Sequence, residues 1–118
     1  MKIVYASRTG NVESIVSQLP YEFIKIETGS ETMAEPYVLV TYTDGYGDIP
    51  YEVDTFLAHE SANMKGVAVS GDTGYGEAYG MAGDKIAETY GVPLLIKIEN
   101  GGTSEDITAL KNAIDALD

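Results

Sequence analysis

The sequence predicts an α/β protein in which a five-stranded parallel sheet is covered by helices on both faces, a three-layer sandwich. Three observations carry that expectation. Short apolar runs alternate with amphipathic helix patterns along all 118 residues, with no internal repeat. Val38-Leu39-Val40 and Leu94-Leu95-Ile96 are continuous apolar runs, as strands buried on both faces require. Glycine, proline and capping residues punctuate the junctions. Strands that alternate with helices pair in parallel through right-handed crossovers.

The first strand is expected at residues 2–6, and a helix follows at 12–19, where Val12, Ile15, Val16 and Leu19 fall on one face. A second strand is expected at 22–26. The polar stretch 27–36 is too short for a full crossover helix and reads as an irregular connection. The third strand spans 37–41. Pro50 suits the first turn of a helix over 51–60, whose apolar face is Val53, Phe56 and Leu57. A fourth strand at 66–70 precedes a helix at 78–90, which Gly91 and Pro93 stop. The fifth strand covers 94–98. Thr103-Ser104-Glu105-Asp106 then opens a helix over 104–117 with a capping-box pattern, and Ile107, Leu110, Ile114 and Leu117 form its buried stripe.

Composition narrows the chemistry. No cysteine is present, which excludes thiol catalysis, thiolate metal sites and disulfides. Nineteen acidic against seven basic residues give a net charge of −12, a surface that repels nucleic acid and anionic membranes. No apolar run reaches membrane-spanning length and the chain enters a strand pattern at once, so a cytoplasmic protein is expected. His59 reads as a solvated or capping residue, Lys97 as a surface residue at a strand end, and Asp44, Asp48, Asp72 and Glu77 as solvated loop carboxylates.

In a parallel sheet of this kind ligands bind beyond the carboxyl ends of the strands, where strand order reverses. Three loops are expected there, at 7–11, 42–48 and 71–77, and all are rich in Gly, Thr, Asp and Tyr. In the first, Ser7, Thr9 and Asn11 offer side-chain donors, Gly10 admits close backbone approach, and Arg8 is the nearby cation. Unpaired N–H groups at the start of the following helix, toward Val12, favour an anion. A plain turn and helix cap would use the same residues. The loop lacks the lysine of a P-loop, which argues against nucleotide hydrolysis. In the second loop, Tyr42, Thr43, Asp44, Gly45, Tyr46 and Gly47 follow a buried strand. The Gly45–Tyr46 peptide can reverse its carbonyl at little steric cost, and Tyr42 and Tyr46 offer flat surfaces. The third loop repeats the theme with Ser70, Gly71, Asp72, Tyr75 and Gly76, and Tyr79 lies just beyond. One phosphate loop with aromatic residues in neighbouring loops points to a planar, phosphorylated ligand, and FMN suits it better than a dinucleotide. A phospho-receiver domain would need acidic residues where this chain has Tyr5-Ala6-Ser7 and Thr41-Tyr42.

Ser7-Arg-Thr-Gly-Asn-Val12 resembles the phosphate loop of flavodoxin-like proteins. With Thr41-Tyr-Thr-Asp-Gly-Tyr-Gly-Asp-Ile-Pro50, Ser70-Gly-Asp-Thr-Gly-Tyr-Gly-Glu-Ala-Tyr-Gly80, Ala82-Gly-Asp-Lys-Ile86 and Tyr90-Gly-Val-Pro93, nearly the whole chain resembles the NrdI family. Val12 stands where ordinary flavodoxins usually carry a further Ser or Thr. The resemblance implies a flavodoxin-like three-layer sandwich with strand order 2-1-3-4-5. It implies an FMN redox protein that acts as an activator, not as a turnover enzyme with its own substrate. The implied partners are the dimanganese small subunit of a class Ib ribonucleotide reductase, a flavodoxin reductase-type electron donor and dioxygen. Reduced FMN would react with dioxygen and pass the resulting superoxide or peroxide to the small subunit, where it would oxidise the dimanganese centre and generate a tyrosyl radical. The supply of electrons is the other form of activation that the resemblance implies. A general flavodoxin-type one-electron carrier shares every loop feature.

Overall fold

The computed structural model describes residues 1–117. Its strands are β1 (Lys2–Tyr5), β2 (Phe23–Lys25), β3 (Tyr37–Tyr42), β4 (Met64–Gly71) and β5 (Leu94–Glu99). Its helices are α1 (Asn11–Ser17), α2 (Tyr51–Glu60), α3 (Met81–Tyr90) and α4 (Ser104–Asp115). All strand pairs are parallel and the order is β2-β1-β3-β4-β5. This is the five-stranded parallel sheet in the expected order 2-1-3-4-5. The chain runs outward from β1 to β2 and returns to the other side of β1 as β3, so the order reverses between β1 and β3.

Side-chain alternation divides the core in two. Ile3, Val38 and Val40 face α1 and α4 and pack with Val12, Ile15, Val16, Leu110 and Ile114. Val4, Ala6, Tyr37 and Leu39 face the other way and pack with Val53, Phe56 and Leu57 of α2 and Ile86 of α3. The central strand β3 is buried from Tyr37 to Thr41, whereas Leu94 to Ile96 are only half-buried. The continuous apolar run in β5 thus belongs to an edge strand with a single neighbour. Glycine brings α3 close to the sheet: a Cβ at Gly83 would stand 2.7 Å from Val69 Cγ1 and 2.8 Å from Leu94 Cδ1.

The connection 26–36 contains no helix or strand. The Glu31 carboxylate holds it together by accepting from the N–H groups of Glu27 at 2.8 Å, Thr28 at 3.2 Å and Gly29 at 2.9 Å. His59 Nε2 lies 2.8 Å from the Gly29 carbonyl oxygen, so this histidine fastens the connection to α2. The last helix carries the full capping box, with Thr103 and Asp106 each bonding the other's backbone N–H. No helix among the described residues is long and apolar enough to cross a membrane.

Candidate functional site

The loops leaving the carboxyl ends of the strands enclose an open cleft. The first loop contributes Ser7, Arg8, Thr9, Asn11 and Val12 to its lining. Gly10 does not face the cleft. Instead it gives the turn its shape, at φ +94° with open space where a Cβ would stand. The Glu13 N–H donates to Ser7 Oγ at 3.3 Å and the Ser14 N–H to the Gly10 carbonyl at 3.0 Å. Among the described residues, the N–H groups of Thr9, Gly10, Asn11 and Val12 have no protein acceptor. Backbone N–H groups gathered in one turn without a protein acceptor form an anion-binding concavity.

Arg8 lines the cleft, but its guanidinium is engaged by the second loop. Its Nη2 donates to Asp44 Oδ1 at 2.8 Å, and its guanidinium carbon lies 4.8 Å from the centroid of the Tyr42 ring. The hydrogen bond to Asp44 raises the Arg8 pKa. The Tyr42 hydroxyl donates to Glu52 Oε2 of α2 at 2.8 Å. Burial, with that bond to a carboxylate, pushes the Tyr42 phenol up to about 12. One face of the Tyr42 ring is therefore covered by Arg8, which restricts the stacking surface expected of it.

Tyr42, Thr43 and Gly45 line the cleft from the second loop, while Asp44, Tyr46 and Gly47 do not. Asp44 and Asp48 form an isolated bridge that closes the loop into a tight turn, with N–H to carbonyl distances of 2.9 and 2.7 Å. Gly47, at φ +103°, packs so closely on Met81 that a Cβ would meet its Sδ at 2.8 Å. At the apex, the Gly45 carbonyl and the Tyr46 N–H carry no hydrogen bond among the described residues. Tyr46 is 80% exposed and meets Tyr75 of the third loop edge to face, ring centroids 5.2 Å apart.

The third loop supplies Ser70, Gly71, Asp72, Tyr75 and Tyr79 to the lining, and Gly76 stays outside it. Residues 73–78 form two 3-10 turns broken at Gly76 (φ +58°), and α3 begins at Met81, three residues later than its pattern suggested. Asp72 anchors the loop by accepting from the Gly74 N–H at 2.7 Å. Lys97 is more than a surface residue. Its Nζ donates to the Tyr79 carbonyl at 3.1 Å and to Asp84 at 2.6 Å, and its stem packs on Gly80.

Three lining residues were not anticipated: Ala78, Gly80 and Asn100. Asn100 belongs to a fourth loop, after β5. It adopts φ +51°, donates from its N–H to the Gly71 carbonyl at 2.8 Å, and accepts from Ser70 Oγ at 2.7 Å. Asn100-Gly101-Gly102 is the signal that could have found it, since a strand end in a parallel sheet delivers its loop to this same rim.

The doubly wound sheet and a loop-lined cleft at its switch point define a flavodoxin-like protein. Its fold resembles that of a short-chain flavodoxin associated with a non-canonical PDU bacterial microcompartment, with TM-score 0.73 and 25% identity over 98% of this chain and 94% of that one. The family model described as NrdI flavodoxin-like matches residues 3–112. Protein NrdI of Macrococcus caseolyticus is 44% identical over 91% of this chain and 83% of its own length. Protein NrdI of Bacillus licheniformis is 34% identical over 99% and 89%, and the SPbeta prophage-derived protein NrdI of Bacillus subtilis 35% over 98% and 92%. The chain belongs to the NrdI family, and that membership implies a flavin cofactor.

Proposed function

We propose that this protein binds FMN in the cleft and activates the dimanganese small subunit of a class Ib ribonucleotide reductase. The single observation that carries the cofactor assignment is the set of four unpaired N–H groups at residues 9–12, beside a cleft walled by Tyr75 and Tyr79. Neutral donors suit one phosphate, and the flanking tyrosines suit a flat ring. Bound FMN would supply one-electron chemistry and reactivity toward dioxygen.

The protein's own residues do the rest. Ser7, Thr9 and Asn11 bind the phosphate with the adjoining backbone. Tyr75 and Tyr79 orient the ring and limit water around it. The unbonded Gly45 carbonyl is free to accept a hydrogen bond from a protonated flavin N5, with Gly45 (φ +48°) lowering the cost of turning the peptide. The open mouth leaves an edge of the ring to the partner. A flavodoxin reductase-type protein would reload electrons, and superoxide, peroxide or electrons would pass to the small subunit.

The test is to mix the reduced flavoprotein, dioxygen and a manganese-loaded small subunit and follow the tyrosyl radical by electron paramagnetic resonance. Radical well above a flavin-free control is expected. A signal no higher than that control would return the protein to the role of general one-electron carrier.

A further inference from the structure

We propose that Arg8 is a positioning residue for the second loop and makes no contact with the ligand phosphate. This rests on the FMN reading above. A lone cation in a phosphate loop would ordinarily be assigned to the anion. Here the guanidinium is committed elsewhere, 2.8 Å from Asp44 and stacked at 4.8 Å on Tyr42. Those two residues are the entry to the second loop. Tyr42 ends β3 and is held from below by Glu52 of α2, and Asp44 opens the turn that Asp48 closes. On the far side Asp48 lies 3.6 Å from Lys85 of α3. The base of the turn thus has a cation on each side, while its Gly45–Tyr46 apex remains unbonded.

Arginine is suited to this task because its plane can stack on a ring while its fork keeps a carboxylate, which lysine cannot do together. Asp44 offsets the Arg8 charge, so the phosphate site is built from neutral donors. Arg8 instead couples the phosphate loop to the peptide beside the flavin ring.

Riboflavin, which lacks the phosphate, separates the two roles. FMN and riboflavin are titrated into wild-type protein, R8Q, D44N and the double variant. R8Q should weaken both ligands by the same factor, about two- to tenfold for an exposed ion pair with a partly buried stack. D44N should weaken riboflavin similarly, the double variant no further than either single one, and R8K should recover only part of the loss. The one-electron potentials of the bound flavin add a second readout. Displaced loop geometry moves them in the same direction in R8Q and D44N, whereas bare charge moves them in opposite directions. Loss of FMN affinity alone, additive effects, opposite potential shifts, or no change in either ligand would overturn the assignment. Wild-type protein that takes up no FMN would mark failure of the flavin reading itself.

Discussion

Gly47 and Gly10 both carry positive φ, +103° and +94°, but their surroundings differ. A methyl at Gly47 meets Met81 at 2.8 Å, and one at Gly10 meets nothing within 4 Å. Gly47→Ala should therefore cost about 2–4 kcal/mol, combining backbone strain with overpacking, and Gly10→Ala only about 1–2 kcal/mol. Urea unfolding midpoints at unchanged slope check the difference. Tyr42→Phe keeps the ring under Arg8 and loses the bond to Glu52; a cost of about 1 kcal/mol is expected by the same measurement. Most lining residues were legible because glycine, hydroxyl and tyrosine side chains cluster at strand ends. Asn100 was not, since Asn-Gly-Gly before a capping box also reads as an ordinary turn. Nor was the orientation of Arg8, because its partners lie 34 and 36 residues away, at Tyr42 and Asp44.

At the scale of elements, α3 shows how packing overrides local preference. Gly83 lies inside this helix, where alanine would ordinarily gain about 0.5–1 kcal/mol. Its Cβ, however, would stand within 3 Å of both Val69 and Leu94, and overpacking of that kind costs about 1–3 kcal/mol. Gly83→Ala should lower the unfolding midpoint; a raised one would show that α3 can shift outward freely. The late start of α3 has a related origin. Gly80 takes φ +64° and packs on the Lys97 stem, a contact with a residue 17 positions away on β5. Periodicity located the strands and helices because each has one or two buried faces. It could not locate the 3-10 turns of residues 73–78, which bury no residue. The stretch 27–36 was legible as irregular from its polarity; the Glu31 carboxylate folds it locally, within four residues, whereas His59 fastens it through a tertiary contact.

For the whole molecule, titration and charge make the main predictions. The phenols of Tyr5 and Tyr42 are pushed up to about 12, in both cases by burial and then by a hydrogen bond to a carboxylate, Glu13 and Glu52 respectively. Burial also raises Tyr37. The folded state consequently holds more protons than the unfolded chain above the ordinary tyrosine value of 10.0. Stability from these groups is fully present below pH 10 and is lost as pH rises toward 12. Denaturant midpoints measured in alkaline steps should fall across that window, less steeply in Tyr42→Phe. The net charge of −12 acts at longer range. Carboxylates around the cleft disfavour additional negative charge on a bound flavin, and salt screens them. The potential for the second electron should rise with ionic strength; a flat response would confine the acidity to solubility.

Binding of FMN at the carboxyl edge of the sheet is tested most directly by titrating FMN into the purified, flavin-free protein and following flavin fluorescence. Saturation at one FMN per chain is predicted, with emission quenched by the neighbouring tyrosines and riboflavin bound more weakly for want of the phosphate. Unchanged emission with no uptake, or equal affinity for FMN and riboflavin, would contradict a phosphate site at residues 7–12.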